Sequence, residues 1–164
     1  NQGLAGARNT SFSLASGNYV FVLDADNLIF PSCLARLCTA LENSEAAFAY
    51  SIIEIFGERS GITNSDLWNP EWLKKFNPYD AMALIRKDAW KAVAGYSKMQ
   101  ITGWEDYDFW CKLHEHGYFG VHVPEILCRY RSHSQSMINS ISSLDENVLL
   151  LRAEMQQRHP WITF

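Results

Sequence analysis

The chain has 164 residues, 48% of them apolar and 20% charged. That length suits one domain with a proper core, and the composition excludes a disordered chain. The formal net charge is −4 and Lys and Arg form no stripe, so a nucleic-acid partner lacks its usual electrostatic footprint.

The elements follow in chain order. Asn1-Gln2-Gly3 is a turn signal, and Leu4 to Ser16 predicts a helix broken by Gly17-Asn18. Tyr19-Val20-Phe21-Val22-Leu23 is an unbroken apolar run, which predicts a strand covered on both faces and therefore a parallel, central one. Asp24-Ala25-Asp26-Asn27 follows at its end. Pro31-Ser32 opens a second helix, with Leu34, Leu37, Cys38 and Leu41 spaced for one face. Ala47 to Phe56 predicts a strand. Residues 57–79 show no clean periodicity and are expected to form a long surface segment with one short helix.

Met82 to Ile85 predicts a short strand, and Lys87 to Val93 a helix stopped by Gly95. Gly103-Trp104-Glu105-Asp106 leads into an aromatic-rich helix through His116, ended by Gly117. Phe119–Val123 and Ile126–Tyr130 predict two strands separated by Pro124. Leu144, Val148, Leu151 and Met155 mark a last amphipathic helix before Pro160. Alternating helices and strands define an α/β protein, with a mixed sheet because the later strands are irregular.

Four cysteines, Cys33, Cys38, Cys111 and Cys128, form no CxxC pair. They fit reduced thiols in a cytoplasmic protein. Cys111, His114 and His116 lack the matching second pair of a zinc site. No apolar run approaches the ~20 residues needed to span a bilayer, and no signal peptide is visible. The sequence does not open with Met, and a piece of a longer protein is expected.

Asp24 and Asp26 are the first candidates for chemistry. Open α/β sheets bind ligands just beyond strand ends. Two carboxylates one residue apart can approach one divalent cation, and hard oxygen ligands suit Mg2+ or Mn2+. Such a cation would bridge two phosphates and neutralise a departing diphosphate. The bland alternative is a turn-and-cap pair. An EF-hand is excluded, because Ile29 stands where its glycine is required and Ala35 where its glutamate should be.

The order of several short motifs resembles a family 2 glycosyltransferase of the GT-A fold. Asn1-x-Gly3-x-x-x-Ala7-Arg8-Asn9, Gly17-Asn18-Tyr19, Leu23-Asp24-Ala25-Asp26-Asn27 and Pro31 match the middle of that family's domain. Gly103-Trp104-Glu105-Asp106-Tyr107-Asp108 resembles its Glu-Asp motif, and Tyr130-Arg131-x-His133-x-x-Ser136-Met137 its late basic motif.

The resemblance implies a Rossmann-like three-layer sandwich. It implies that Asp106 is the catalytic base of an inverting transfer, and that Asp24, Asp26 and His133 hold Mn2+ or Mg2+. It places Arg8, Asp24, Trp104, Glu105 and Arg131 against substrate. The implied partners are a nucleotide-diphospho-sugar donor and a saccharide or lipid-linked acceptor, with no nucleic acid. The implied location is cytoplasmic, peripheral to the inner face of a membrane in the full-length protein.

The family's domain begins with β-α units that build a nucleoside pocket, and none is visible before Asn1. Residues 1–137 are thus expected to be a partial domain, the C-terminal two thirds, with 138–164 as a helix and tail packed on it. An exposed sheet edge and self-association through it are expected, as is weak nucleotide binding by the isolated piece. Two other readings compete: a non-catalytic relic that binds carbohydrate or serves a structural role, and a nucleotidyl or phosphoryl transferase. The latter would need a glycine-rich phosphate loop or a catalytic lysine, and neither is visible.

A tension is left at Asp106. A helix N-terminus lowers a carboxyl pKa, while Glu105 and Asp108 beside it push upward.

Overall fold

The computed structural model describes residues 1–164. Six strands form one mixed sheet, β1 (Tyr19–Phe21), β2 (Leu28–Ile29), β3 (Phe48–Gly57), β4 (Gly61–Thr63), β5 (Ala83–Arg86) and β6 (Gly120–Ser132). Their order is β1-β5-β3-β6-β2, with β4 also paired to β3. Only β3 and β6 run parallel; the other pairs are antiparallel.

Alternation along the strands creates two cores. Phe48, Tyr50, Ala83 and Ile85 face one side, where α1 (Gly3–Leu14), α3 (Lys87–Ala92), α4 (Glu105–Glu115) and α5 (Asp145–Arg158) contribute Phe12, Ala89, Trp110 and Met155. Ala49, Ile53, Met82 and Leu84 face the other, under α2 (Cys33–Glu42) with Leu37 and Leu41. The result is three layers, helix, sheet and helix. Leu151, Met155 and Ile162 share a cluster with Tyr107 and Trp110, so the last helix and tail pack on the same core. No helix is long and apolar enough to cross a membrane.

Several expectations need correction. The 19–23 run is not a central parallel strand: β1 lies at the sheet edge, antiparallel to β5, and only half-buried. An apolar run reports that a strand is covered, whereas the neighbour it pairs with is set by distant residues. Residues 119–130 do not split at Pro124, because β6 continues across it with a change of register against β3. The inward face of α2 carries Cys33, Leu37 and Leu41, while Leu34 is exposed. Leu144 is exposed as well, and Glu154 takes an inward place on α5. The segment 57–79 contains strand β4 besides its short 3-10 turn at Trp72–Lys74.

Candidate active site

The Asp24–Asn27 segment is a tight turn, closed by Asn27 N–H donating to the Asp24 carbonyl at 3.1 Å. It joins β1 to β2, and β2 pairs with the far end of β6. This pairing brings residues 24–27 beside residues 131–133. Buried Asn27 accepts a hydrogen bond from Arg131 N–H at 2.9 Å, and Arg131 Nε donates to the Asp26 carbonyl at 3.1 Å. The His133 Nε2 atom lies 3.0 Å from Asp26 Oδ2. The Arg131 guanidinium stacks over Phe56 at 4.5 Å, so the structure ties Arg131 to the turn and to β3.

Arg8 enters from α1. Asn9 fixes that helix by bonding the Tyr96 backbone on both its N–H and carbonyl and by accepting from Trp90 Nε1. Arg8 then reaches the turn, with Nη2 3.2 Å from Asp24 Oδ1. It is largely buried beside Asp24 and within the fields of Asp106 and Asp80.

Asp106 lies half-buried in the first turn of α4, between buried Glu105 and Tyr107. Its Oδ1 accepts from Tyr107 N–H at 2.9 Å and its Oδ2 from Asn77 Nδ2 at 3.0 Å. Loss of hydration pushes its pKa up to about 7; Asp80 adds to the rise, and Arg8 opposes it. The tension at the helix start therefore resolves upward, but chiefly through burial. Asp108 has no such part, because it faces away and is itself held low by His159 and Lys112 against its own burial.

A cleft of about 330 Å³ gathers Arg8, Asp24, Asp26, Asp106 and His133. It also contains Asp80, which the sequence reading missed. Asp80 is pushed up to about 6, first by desolvation and then by neighbouring Asp24, despite a bond from Met82 N–H. No motif marks it; it merely precedes a short strand. Asn77 was missed for the same reason.

Glu105 lines the cleft, yet its carboxylate closes the loop before α4, accepting from Thr102 Oγ1 at 2.8 Å and Gly103 N–H at 2.7 Å. Trp104 and Arg131 are outside the lining of this cleft. Trp104 lines an adjoining cavity of about 300 Å³, and Asp106 lies in the wall of both.

No group of three His, Cys, Asp or Glu side chains stands ready as a metal cage. Asp26 and His133 offer one oxygen and one nitrogen side by side, and Asp24 is engaged by Arg8. This partial donor set fits a cation that takes its remaining ligands from phosphates and water, as Mg2+ does at nucleotide sites. Cys111 is buried and His116 bonds within its own helix, so the zinc alternative finds no geometry.

The mixed sheet with an acidic turn at a strand end defines an α/β domain with a candidate ligand cleft at that turn. The model of glycosyl transferase family 2 matches residues 1–100, and that of glycosyl transferase family group 2 matches 79–163. The chain belongs to glycosyl transferase family 2. It is 26% identical over 161 residues to the glycosyltransferase-class protein EpsE of Bacillus subtilis, covering 93% of this chain and 58% of that one. An uncharacterized glycosyltransferase of Haemophilus influenzae is 27% identical over 163 residues, covering 90% and 50%. The chain thus spans about half the length of these relatives.

Among solved structures, residues 1–349 of S. aureus TarS with UDP-GlcNAc superpose with a TM-score of 0.71 at 15% identity, covering 93% of this chain and 46% of that one. The mannosyltransferase PcManGT from Pyrobaculum calidifontis, in complex with GDP-Man and Mn2+, gives 0.57 at 18% identity, covering 84% and 39%. These two likenesses establish the shared fold.

Proposed function

We propose that this domain carries out an inverting sugar transfer from a nucleotide-diphospho-sugar to an acceptor hydroxyl, with Asp106 as general base. The observation that carries the reading is the place of Asp106. It stands between the cleft that holds Asp24 and Asp26 and a second cavity on the other side. A donor diphosphate in the cleft and an acceptor in the cavity would meet at its carboxylate.

Asp26 and His133, with Asp24, would hold a divalent cation, Mn2+ or Mg2+, which neutralises charge on the leaving diphosphate. Arg8 adds a fixed positive charge beside Asp24. Arg131 holds the turn by its backbone and guanidinium rather than reaching into the cleft.

Asp106 takes the proton of the acceptor hydroxyl as that oxygen attacks the anomeric carbon. The bond from that carbon to the diphosphate breaks, and both electrons leave with the diphosphate. Attack opposite the leaving group inverts the anomeric configuration. A base with pKa near 7 suits this task, since it is ionised at working pH yet still accepts a proton. A non-catalytic relic would leave this half-buried carboxyl, at the junction of two cavities, without a role.

The test is Asp106→Asn in the full-length protein. Transfer is expected to vanish while Mn2+-dependent binding of UDP or GDP persists by calorimetry. Loss of nucleotide binding instead would assign Asp106 to the donor site and defeat the base role.

A further inference from the structure

The cavity beyond Asp106 has a distinctive wall. Trp104 and Phe164 meet at 5.8 Å between ring centroids, and half-exposed Phe76 lines the same cavity. Apolar ring faces with a few placed polar groups are the usual lining of a small-molecule site, and about 300 Å³ is room for a sugar ring. Asn77 bonds Asp106 from the same wall, so a ring seated there lies against the carboxylate that would take its proton.

Its charge is the informative feature. Asp106 is the only acidic residue in the lining, against two cations, Lys75 and Arg152. Neither cation makes a salt bridge, while Arg8, Arg36, Arg129 and Arg158 each have a carboxylate partner. Arg152 is instead laid over the Phe164 ring, 5.3 Å from its centroid. No hydrogen bond to the protein occupies its N–H groups, which can meet an anion from beside the ring. Lys75 directly follows the 3-10 turn and Arg152 comes from α5, so two separate segments supply the charge.

In a chain of net charge −4, two cations without salt bridges at one aromatic cavity, against a single acid, match a negatively charged ligand. We propose that this cavity takes an acceptor sugar bearing a carboxylate or phosphate, and that Lys75 and Arg152 select it. The assignment rests on the transferase reading for calling the ligand an acceptor. Guanidinium forks bind both anions in two-point fashion, and an ammonium adds a point charge.

Ligand-detected NMR titration of the full-length protein tests this with glucuronate, glucose 6-phosphate, glucose and inorganic phosphate. At least one anionic sugar should bind tenfold or more tightly than glucose. Lys75→Ala and Arg152→Gln should each remove most of that difference, and Arg152→Lys should keep part of it. Both side chains are exposed, and unchanged circular dichroism is expected. Preference for glucuronate alone or for glucose 6-phosphate alone would support the proposal and identify the anion.

Equal binding of glucose and the anionic sugars would overturn it. So would inorganic phosphate binding as well as the sugar phosphate, or an unchanged preference in both variants. Calorimetry with UDP, GDP and Mn2+ on the same samples separates the two levels. Anionic-sugar binding without any nucleotide binding would sink the transferase reading and leave the anion-selective cavity standing.

Discussion

His133 Nε2 lies 3.0 Å from Asp26 Oδ2, across a sequence separation of 107 residues. The antiparallel pairing of β2 with β6 makes this contact, and Asn27 locks it by accepting from the Arg131 backbone. Asp26→Ala and His133→Ala should therefore weaken Mn2+-dependent nucleotide binding by about 10–100-fold, the range for groups that build or orient a metal shell. Binding measured without Mn2+ should change little. Unchanged affinity in both variants would remove these residues from the cation site.

The transfer rate should rise with pH through about 7 as Asp106 ionises, then level off. Arg8 opposes the rise in this pKa, so Arg8→Gln should move the midpoint to the alkaline side. The sign for stability is opposite. A carboxyl raised in the folded state contributes stability that is complete below the unfolded pKa of about 4 and lost as pH climbs to about 7. Asp106→Asn should consequently unfold at higher urea at pH 8, by about 1–3 kcal/mol given its partial solvent contact. Urea titration at pH 5 and 8 checks both halves: the gain should be smaller at pH 5.

Behind the site, His159 is buried between two acids. Its Nδ1 lies 2.7 Å from Glu115 and its Nε2 3.2 Å from Asp108, which Arg158 and Lys112 also approach. The His159 pKa is raised by these acids in spite of burial, and that of Asp108 is lowered by His159 and Lys112. Stability from the raised histidine is full below about 6.5 and lost as pH rises through its folded value. Stability from the lowered aspartate is present above about 4 and lost as pH falls through its folded value. The α4–α5 contact should hold best between these limits. Asp108→Asn should cost about 1–3 kcal/mol by denaturant unfolding at pH 6, since it takes the buried anion away from His159 and Lys112 and leaves His159 with Glu115 alone. A loss under 1 kcal/mol would show that the network contributes little.

Gly103 has φ +123°, and a Cβ there would come within 1.8 Å of Ser142 Oγ. Ser142 in turn donates to the Thr102 carbonyl at 3.0 Å, so the 138–142 turn sits directly on the entry to α4. Gly103→Ala should lower stability by about 1–3 kcal/mol, from overpacking and a strained φ. It should reduce transfer more than nucleotide binding, because it displaces Asp106 rather than the acidic turn. Thermal melts and calorimetry together test this.

The helices were legible because their periodicity and stops are local. Gly117, for example, takes φ +78° after α4, as a glycine stop should. The turn at Asp24–Asn27 was legible as a motif in order with others. Strand neighbours were not: β2 has two residues and exists through its pairing with Arg129 and Cys128. Asp80 was invisible because its raised pKa comes from burial and from Asp24, far away in sequence. Glu105 was legible as a residue of the cleft, but the bonds it accepts from Thr102 and Gly103 close the loop before α4, and only the folded loop reveals them.

The register change in β6 has a consequence for how this domain can vary in length. Opposite β3, Val123 matches Ser51 but Ile126 matches Ile52 and Cys128 matches Ile53. Beyond that point Arg129 and Arg131 gather over Phe56, while Tyr130 turns to the cleft. The stretch 124–127 therefore acts as a phase setter for everything after it. One residue gained or lost there would exchange the two faces, bringing arginines to the acidic cleft and Tyr130 onto Phe56. A change of two would restore the alternation, so length variation here should be tolerated by parity rather than by size.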